Sequence, residues 1–380
     1  MKIDSTGQTT EITSGSGAAA SRSYCVRWAV LGTVALVASL GCGEIGAGEA
    51  GDGQNPSAEA TSGGLRSVEN PDTVLRAATL TALEVAALDD SVRTPIPNPN
   101  RNSVSGSGSW AAQDWQVFRQ KARWAEAQRL DTLEMGAAVA RMAGTFVGWT
   151  YTPQTLEVAG PERVVVNLAE LDCVTFIENV LALVRFQGRY GSVDALDPEV
   201  ARAHYEGLLE EIRYREGALV GYTSRLHYFS EWLTNNQARS LVALRTAELG
   251  GVVDAEPIDF MSTHPSAYPA LAESTEAVAA IRDVENRLNA LPRLYIPEAL
   301  VGQIAPRIRE GDLIAATSTV NGLDIAHTGI AILVDGELHL LHAPLVGRVV
   351  EISEAPLADR ILGIGSQDGI MVATPLRGDS

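Results

Sequence analysis

The chain has 380 residues, 46% hydrophobic and 20% charged, a balance that supplies a sizeable core and excludes a wholly disordered protein. Its formal net charge of -18 excludes nucleic acid as a partner, because a phosphate backbone needs a basic surface. Only Cys25, Cys42 and Cys173 are present and they form no C-x-x-C pair, so a structural zinc site is not expected; no cofactor is expected.

Arg22 and Arg27 precede the apolar run from Trp28 to Leu40, which is followed by Gly41-Cys42-Gly43. A basic flank, a short apolar core and small residues match a secretory signal, and the run is too short to span a bilayer comfortably. Ser39-Leu40-Gly41-Cys42 resembles the lipobox of bacterial lipoproteins, which implies acylation of Cys42; ordinary cleavage nearby is the alternative. Residues 1–42 are therefore read as a signal peptide of lipoprotein type, placing the mature protein on the periplasmic side of a bacterial membrane, held there by a lipid anchor. Residues 43–109, rich in Gly, Ala, Ser, Asn and Pro, bury too little to offset their ordering entropy and are read as a disordered tether. Within them, residues 71–92 have the apolar spacing of a short helix.

The folded domain is expected over 110–380. Trp110 to Phe146 reads as helices, with Trp115, Phe118 and Trp124 as anchors and an amphipathic helix opening at Thr132 and running to about Ala143. Gly148 to Glu157 has the turn and polar residues of a loop. Next comes Leu171-Asp172-Cys173-Val174-Thr175-Phe176-Ile177-Glu178, where Asp172 is a good N-cap and Ile177, Val180, Leu181 and Val184 share one helix face. A thiol thus stands at the positive end of a helix, which favours the nucleophilic thiolate. For a lone cysteine the alternative is a small, inert core residue. Asp197, with Pro198 at the first helical position, opens another helix to about Tyr214.

From Gly311 the period changes to alternation, giving strands over 312–317, 327–334, 337–342, 348–352 and 370–373. Helices followed by an antiparallel sheet make an α+β domain. Asp335-Gly336 signals a two-residue hairpin turn. That turn pairs Val334 with Glu337 and, counting back, Gly329 with His342. His327 shares Gly329's face, so His327 and His342 are diagonal neighbours about 7–8 Å apart at Cα, with a glycine leaving room between them. His339 falls opposite Ile332 on the other face. The cysteine and the two histidines can then serve as nucleophile, base and orienter: Cys173 attacks a carbonyl carbon, His327 takes the thiol proton, and His342 orients His327. The backbone N–H of Cys173 is expected to help hold the oxyanion.

The motifs Gly148-x-x-Tyr151…Thr155-Leu156-Glu157, Leu171-Asp172-Cys173-Val174-Thr175-Phe176, Ser224-Arg225-Leu226-His227-Tyr228-Phe229, Asp324-Ile325-Ala326-His327-Thr328-Gly329 and Leu341-His342-Ala343 occur in this order. Together they resemble the N-acetylmuramoyl-L-alanine amidase-like family first described as DUF1460, a branch of the NlpC/P60 cysteine peptidases. The resemblance runs from about Gln113 to Pro375. It implies a papain-like fold with a helical N-terminal half, a nucleophile helix and an antiparallel sheet. It further implies peptidoglycan fragments as substrate, cleavage between N-acetylmuramic acid and L-alanine, Cys173, His327 and His342 as the chemistry residues, and Tyr151 beside the nucleophile. The chain departs from the family's usual pattern at Trp149-Thr150, Thr152-Pro153-Gln154 and Pro344, positions expected at the cleft wall.

Arg225 and Tyr228 join hydrogen-bonding and aromatic groups, as sugar binding requires, and are expected to line the cleft, with Trp149 adding aromatic surface. The alternative is that Arg225 pairs with a carboxylate and Tyr228 packs inward. Three other readings stand beside the amidase: a γ-D-glutamyl endopeptidase with the same chemistry, a non-catalytic wall-binding lipoprotein, and a metal hydrolase using Cys173, His327 and His342 as ligands.

Overall fold

The structure is a computed structural model and describes residues 110–344 and 349–378. The expectations for the signal peptide, Cys42 and the tether lie outside the described residues.

Five helices form the first part: α1 (Ala112–Ala127), α2 (Met135–Gly144), α3 (Cys173–Tyr190), α4 (Pro198–Arg213) and α5 (Phe229–Ala238). The starts of α3 and α4 agree with their local signals, whereas α2 opens at Met135 and not at Thr132, which ends a separate 3-10 turn over Leu130–Thr132. Helix α3 opens on a reciprocal cap, in which Asp172 accepts from the Val174 and Thr175 backbone N–H groups while its own N–H donates to the Thr175 hydroxyl. Asp197 caps α4 by accepting from Glu199 N–H, and Pro198 occupies the first turn.

Short strands β1 (Val242–Leu244) and β2 (Val252–Asp254) follow, then α6 (Phe260–Thr263), α7 (Pro269–Ala272), α8 (Thr275–Asn289), β3 (Arg293–Pro297) and α9 (Glu298–Ile304). The chain ends with β4 (Leu313–Ser318), β5 (Ile325–Val334), β6 (Glu337–His342), β7 (Glu351–Ile352), α10 (Leu357–Leu362) and β8 (Gln367–Pro375). All pairings in the eight-stranded sheet are antiparallel, in the order β2-β3-β8-β4-β5-β6-β7 with β1 against β8.

The architecture is therefore α+β, a helical part followed by an antiparallel sheet, with one correction: β1, β2 and β3 precede Gly311 and alternate with helices. These strands are only three to five residues long, too short to display a period. The expected strand over 348–352 is reduced to Glu351–Ile352, with Val349 bridging Thr150.

Alternation along the strands divides the apolar residues between two cores. Leu313, Ala315, Ile330, Ile332, Leu341 and Met371 pack with α1 to α5, while Ile314, Ala316, Ala331, Leu340 and Val372 pack under α9 and α10. A third cluster around Tyr228, Phe260 and Ile281 joins the middle segment to the rest. Gly311 has φ +82, and a Cβ there would lie 2.1 Å from the Gly136 carbonyl oxygen, so α2 packs backbone to backbone on the turn entering β4.

Candidate active site

The β5–β6 register is the one counted from the sequence: Val334 pairs with Glu337, Ile332 with His339, Ile330 with Leu341. Asp335 and Gly336 have φ of 51° and 90°, the left-handed pair of a tight hairpin turn. The structure brings the two histidines of one face together, with His327 Nε2 2.9 Å from His342 Nδ1 and the rings edge to face. His339 is buried on the opposite face, its Nδ1 2.8 Å from the Ser353 carbonyl oxygen. Gly329 is required for another reason than room for the histidines. A Cβ there would meet the Leu340 side chain at 2.7 Å and the Leu341 carbonyl oxygen at 2.9 Å, so β6 closes directly over it.

Cys173 is a free, half-buried cysteine in the first turn of α3. Its backbone carbonyl accepts a 2.8 Å hydrogen bond from the Thr328 hydroxyl, tying the start of the helix to the residue beside His327. By strand alternation Thr328 faces α3 and His327 faces α10. Among the described residues the β5–β6 ladder ends at Ile330–Leu341, so the β5 backbone at Thr328 is open to the cysteine. Burial pushes the thiol up to about 11, and the Asp172 carboxylate adds to this; hydrogen bonds from the Thr328 hydroxyl and backbone act the other way. The expected thiolate preference of a helix start is thus reversed. Desolvation outweighs the partial charge of the helix end, and the cap that starts the helix is itself an anion.

His327 is driven in the complementary direction. Burial, followed by the Arg360 guanidinium on α10, lowers it to about 3. Burial thus favours the neutral form of both side chains, the thiol of Cys173 and the imidazole of His327.

The loop over α3 is fixed from both ends. Tyr151 forms a parallel bridge with Leu171, Thr152 N–H donates to the Leu171 carbonyl, and Leu171 N–H donates to that of Thr150. This places Tyr151 near Cys173: its phenol is held above the usual range by burial, then by the charges of Cys173 and Asp172, and so stays protonated as a donor. Thr155 from the same loop donates to Asp172 Oδ2 at 3.1 Å.

The structure corrects the expectation for the other wall residues. Arg225, 4% exposed, pairs with Glu157 at 2.5 Å and donates to the Leu156 carbonyl at 2.9 Å. Tyr228, 2% exposed, donates to Glu285 at 2.7 Å within the third core. Trp149 is fully buried, donating to the Leu168 carbonyl at 2.8 Å. Each carries a polar group on a large apolar or delocalised body, a composition that suits an internal brace as well as a sugar wall, and internal partners decide between them. Lys121 braces the same region: its buried amine donates to the Thr145 carbonyl at 2.6 Å and lies 4.3 Å from the Phe146 ring centre and 4.0 Å from that of Trp149. Neither Lys121 nor Thr328 was singled out from sequence, because a lone lysine on a helix and a threonine in a strand carry no local signal of what they meet.

A family model described as AmiA-like, N-acetylmuramoyl-L-alanine amidase-like, matches residues 141–364. A comparison with curated proteins finds no match. Among solved structures, an N-acetylmuramoyl-L-alanine amidase from Bacteroides uniformis ATCC 8492 is similar at 33% identity and TM-score 0.58, over 63% of this chain and 98% of that one. A second structure with the same description from that strain gives 34% and 0.57, over 63% and 98%. A putative xylanase from Bacteroides fragilis gives 35% and 0.56, over 61% and 98%. The matched model spans more than half of the chain and includes Cys173, His327 and His342, so the chain belongs to the N-acetylmuramoyl-L-alanine amidase-like (AmiA-like) family.

Proposed function

We propose that the protein is a cysteine hydrolase of papain-like, NlpC/P60 type that cleaves the amide between N-acetylmuramic acid and L-alanine in peptidoglycan fragments. It acts as an exported lipoprotein on the periplasmic side of the membrane. The observation that supports this chemistry is the 2.9 Å contact between His327 and His342 next to Thr328, which holds the Cys173 carbonyl.

His327 Nε2 is engaged with His342, leaving Nδ1 as the basic nitrogen. As Sγ of Cys173 attacks the lactyl carbonyl carbon of muramic acid, the thiol proton passes to His327. The oxyanion forms near the N–H of Cys173, which the Asp172 cap leaves available because it takes those of Val174 and Thr175. Tyr151 supplies a second donor. His327 then protonates the alanine nitrogen, the C–N bond breaks, and the peptide leaves with a free amine. Water, deprotonated by His327, hydrolyses the thioester, which restores the thiol and releases the muramic acid carboxylate.

Incubating purified protein with a disaccharide-tetrapeptide and weighing the products tests the reading. Disaccharide and intact tetrapeptide are expected. Release of L-alanyl-D-glutamate still bearing the sugar would instead identify a γ-D-glutamyl endopeptidase. Cys173→Ala should abolish turnover with an unchanged urea midpoint, and near-normal turnover would end the cysteine mechanism.

A further inference from the structure

We infer that Asp324 is a positioning residue of this site: its buried carboxyl group ties a one-residue β-bulge at Ala326 to the start of α5, and the bulge aims His327 at His342 and Thr328 at Cys173. The effect on turnover rests on the cysteine mechanism proposed above.

The register locates the bulge. From Leu313–Ile330 to Ala316–His327 the two strands advance residue for residue, but the next pair is Thr317–Ile325, so Ala326 is an extra residue on β5. Ile330 packs with Leu313 and Ala315 in the core under α1 to α5, and Thr328, opposite Ala315, shares that face. Ile325 lies in the same core. Residues 325 and 328 are an odd number apart, and an unbroken strand would put them on opposite faces. With Ile325 held in the core, a strand without the bulge would turn His327 into that core, away from His342, and Thr328 away from Cys173. One inserted residue therefore sets both contacts, the 2.9 Å approach of His327 to His342 and the 2.8 Å bond from Thr328 to the Cys173 carbonyl.

Asp324 holds the insertion in place. It is 4% exposed, and each of its oxygens accepts from a backbone N–H. The carbonyl accepts from Ser318 at 3.1 Å, closing the hairpin on the β4 side; Oδ1 accepts from Ile325 at 2.8 Å, at the edge of the bulge; Oδ2 accepts from Ser230 at 2.8 Å, in the first turn of α5. Tyr228, which opens α5, makes no capping bond with its side chain and donates to Glu285 instead, so this helix start is satisfied by a carboxyl group 94 residues away. A cap alone would require only Oδ2. The bond to Ile325 fixes the bulge itself, and the two together orient it against a rigid helix. In the sequence Asp324 is no more than an acidic residue shortly before His327, because both Ser230 and the bulge meet it only in the fold.

Two variants test the role. Asp324→Asn keeps the shape and one acceptor, but its amide nitrogen cannot serve the second N–H; Asp324→Ala removes both. On disaccharide-tetrapeptide, kcat per folded molecule should fall about tenfold for Asp324→Asn and about a hundredfold for Asp324→Ala, with KM within about threefold of wild type, the size of effect that a displacement of about 1 Å produces. The second readout requires no substrate. In protein labelled with 15N-histidine, the coupling across the His327–His342 hydrogen bond should be present in the wild type, weaker in Asp324→Asn and absent in Asp324→Ala. Asn236→Ala, which removes the bond from α5 to the Ile212 carbonyl, is the control for lost stability: it should lower the urea midpoint and leave kcat and the coupling as in the wild type. Asp324→Ala with a retained coupling, or with kcat within about twofold of wild type, overturns the inference, as does a wild type without the coupling. If Asp324→Ala does not fold, Asp324→Asn decides by the same two measures. Failure of the amidase reading is separately visible. A wild type that leaves the substrate intact, with the coupling still lost in Asp324→Ala, removes that reading and keeps the role of Asp324 in aiming His327, whereas normal hydrolysis with an unchanged coupling does the reverse.

Discussion

At the scale of single residues, the site sets two electrostatic conditions against its own chemistry: a thiol raised by burial and an imidazole lowered by it. Both follow from enclosure, which disfavours any charged form, and both favour the neutral side chains. The consequence for pH is specific. The folded pKa of His327 lies below its ordinary value, so the stability gained by burying the neutral ring is present above about pH 6.5 and is lost as pH falls towards about 3. Asp114, raised by burial to about 6, has the opposite sign between about pH 6 and 3.8, where the folded state holds the extra proton. Wild type and His327→Gln compared by urea denaturation between pH 7 and 4 isolate the histidine. The wild type should lose more stability on acidification than the variant, and parallel curves would refute the assignment. For activity, His327→Ala should lose about a hundred- to ten-thousand-fold in kcat/KM and His342→Ala less. His339→Gln should keep its kcat while losing about 1 kcal/mol of stability from its hydrogen bond to Ser353.

At the scale of elements, the start of α3 is the joint on which the site depends. Asp172 caps the helix, receives Thr155 from the covering loop, and raises the neighbouring thiol. Asp172→Asn separates these effects, since asparagine caps as well as aspartate but carries no charge. The midpoint for alkylation of Cys173 should move to lower pH with little change in the urea midpoint; a move upward would mean that the carboxylate is not acting through its charge. Asp172→Ala should cost about 1 kcal/mol through loss of the cap. The turn entering β4 is a second joint. Gly311→Ala places a side chain against the Gly136 carbonyl at a positive φ, so a loss well above about 1 kcal/mol is expected in the same assay.

At the scale of the whole molecule, Trp110, the first described residue, is anchored in the helical part. Its ring packs edge-on to Trp115 and Phe118 and lies against Tyr205, and its Nε1 donates to Glu206 at 2.7 Å. A chain starting at residue 110 should therefore have the urea midpoint of the mature protein, and removing Trp110 as well should lower it. The preceding residues serve delivery in the proposed function. Full-length protein expressed in bacterial cells should partition with membranes, and Cys42→Ala should release or mislocalise it. Stable anchoring needs more than one acyl chain, as lipoprotein processing provides. Soluble mature protein beginning at a residue other than Cys42 would refute the anchor and leave export standing.

The sequence by itself determined whatever depends on neighbours in the chain. Asp172 marked the start of the cysteine helix, Asp197-Pro198 that of α4, and Asp335-Gly336 a hairpin whose count placed His327 beside His342 and His339 away from them. These are short-range consequences of capping, fixed φ and a side-chain period of two, so they can be read one element at a time. Only the tertiary structure decided what each side chain meets across the fold. It turned Arg225, Tyr228 and Trp149 from a wall into internal braces. It joined Thr328 to Cys173 and Asp324 to the start of α5. Enclosure of the site also reversed the expected ionisation of Cys173. Desolvation and partner choice depend on surfaces brought together from distant parts of the chain, and no local pattern encodes them.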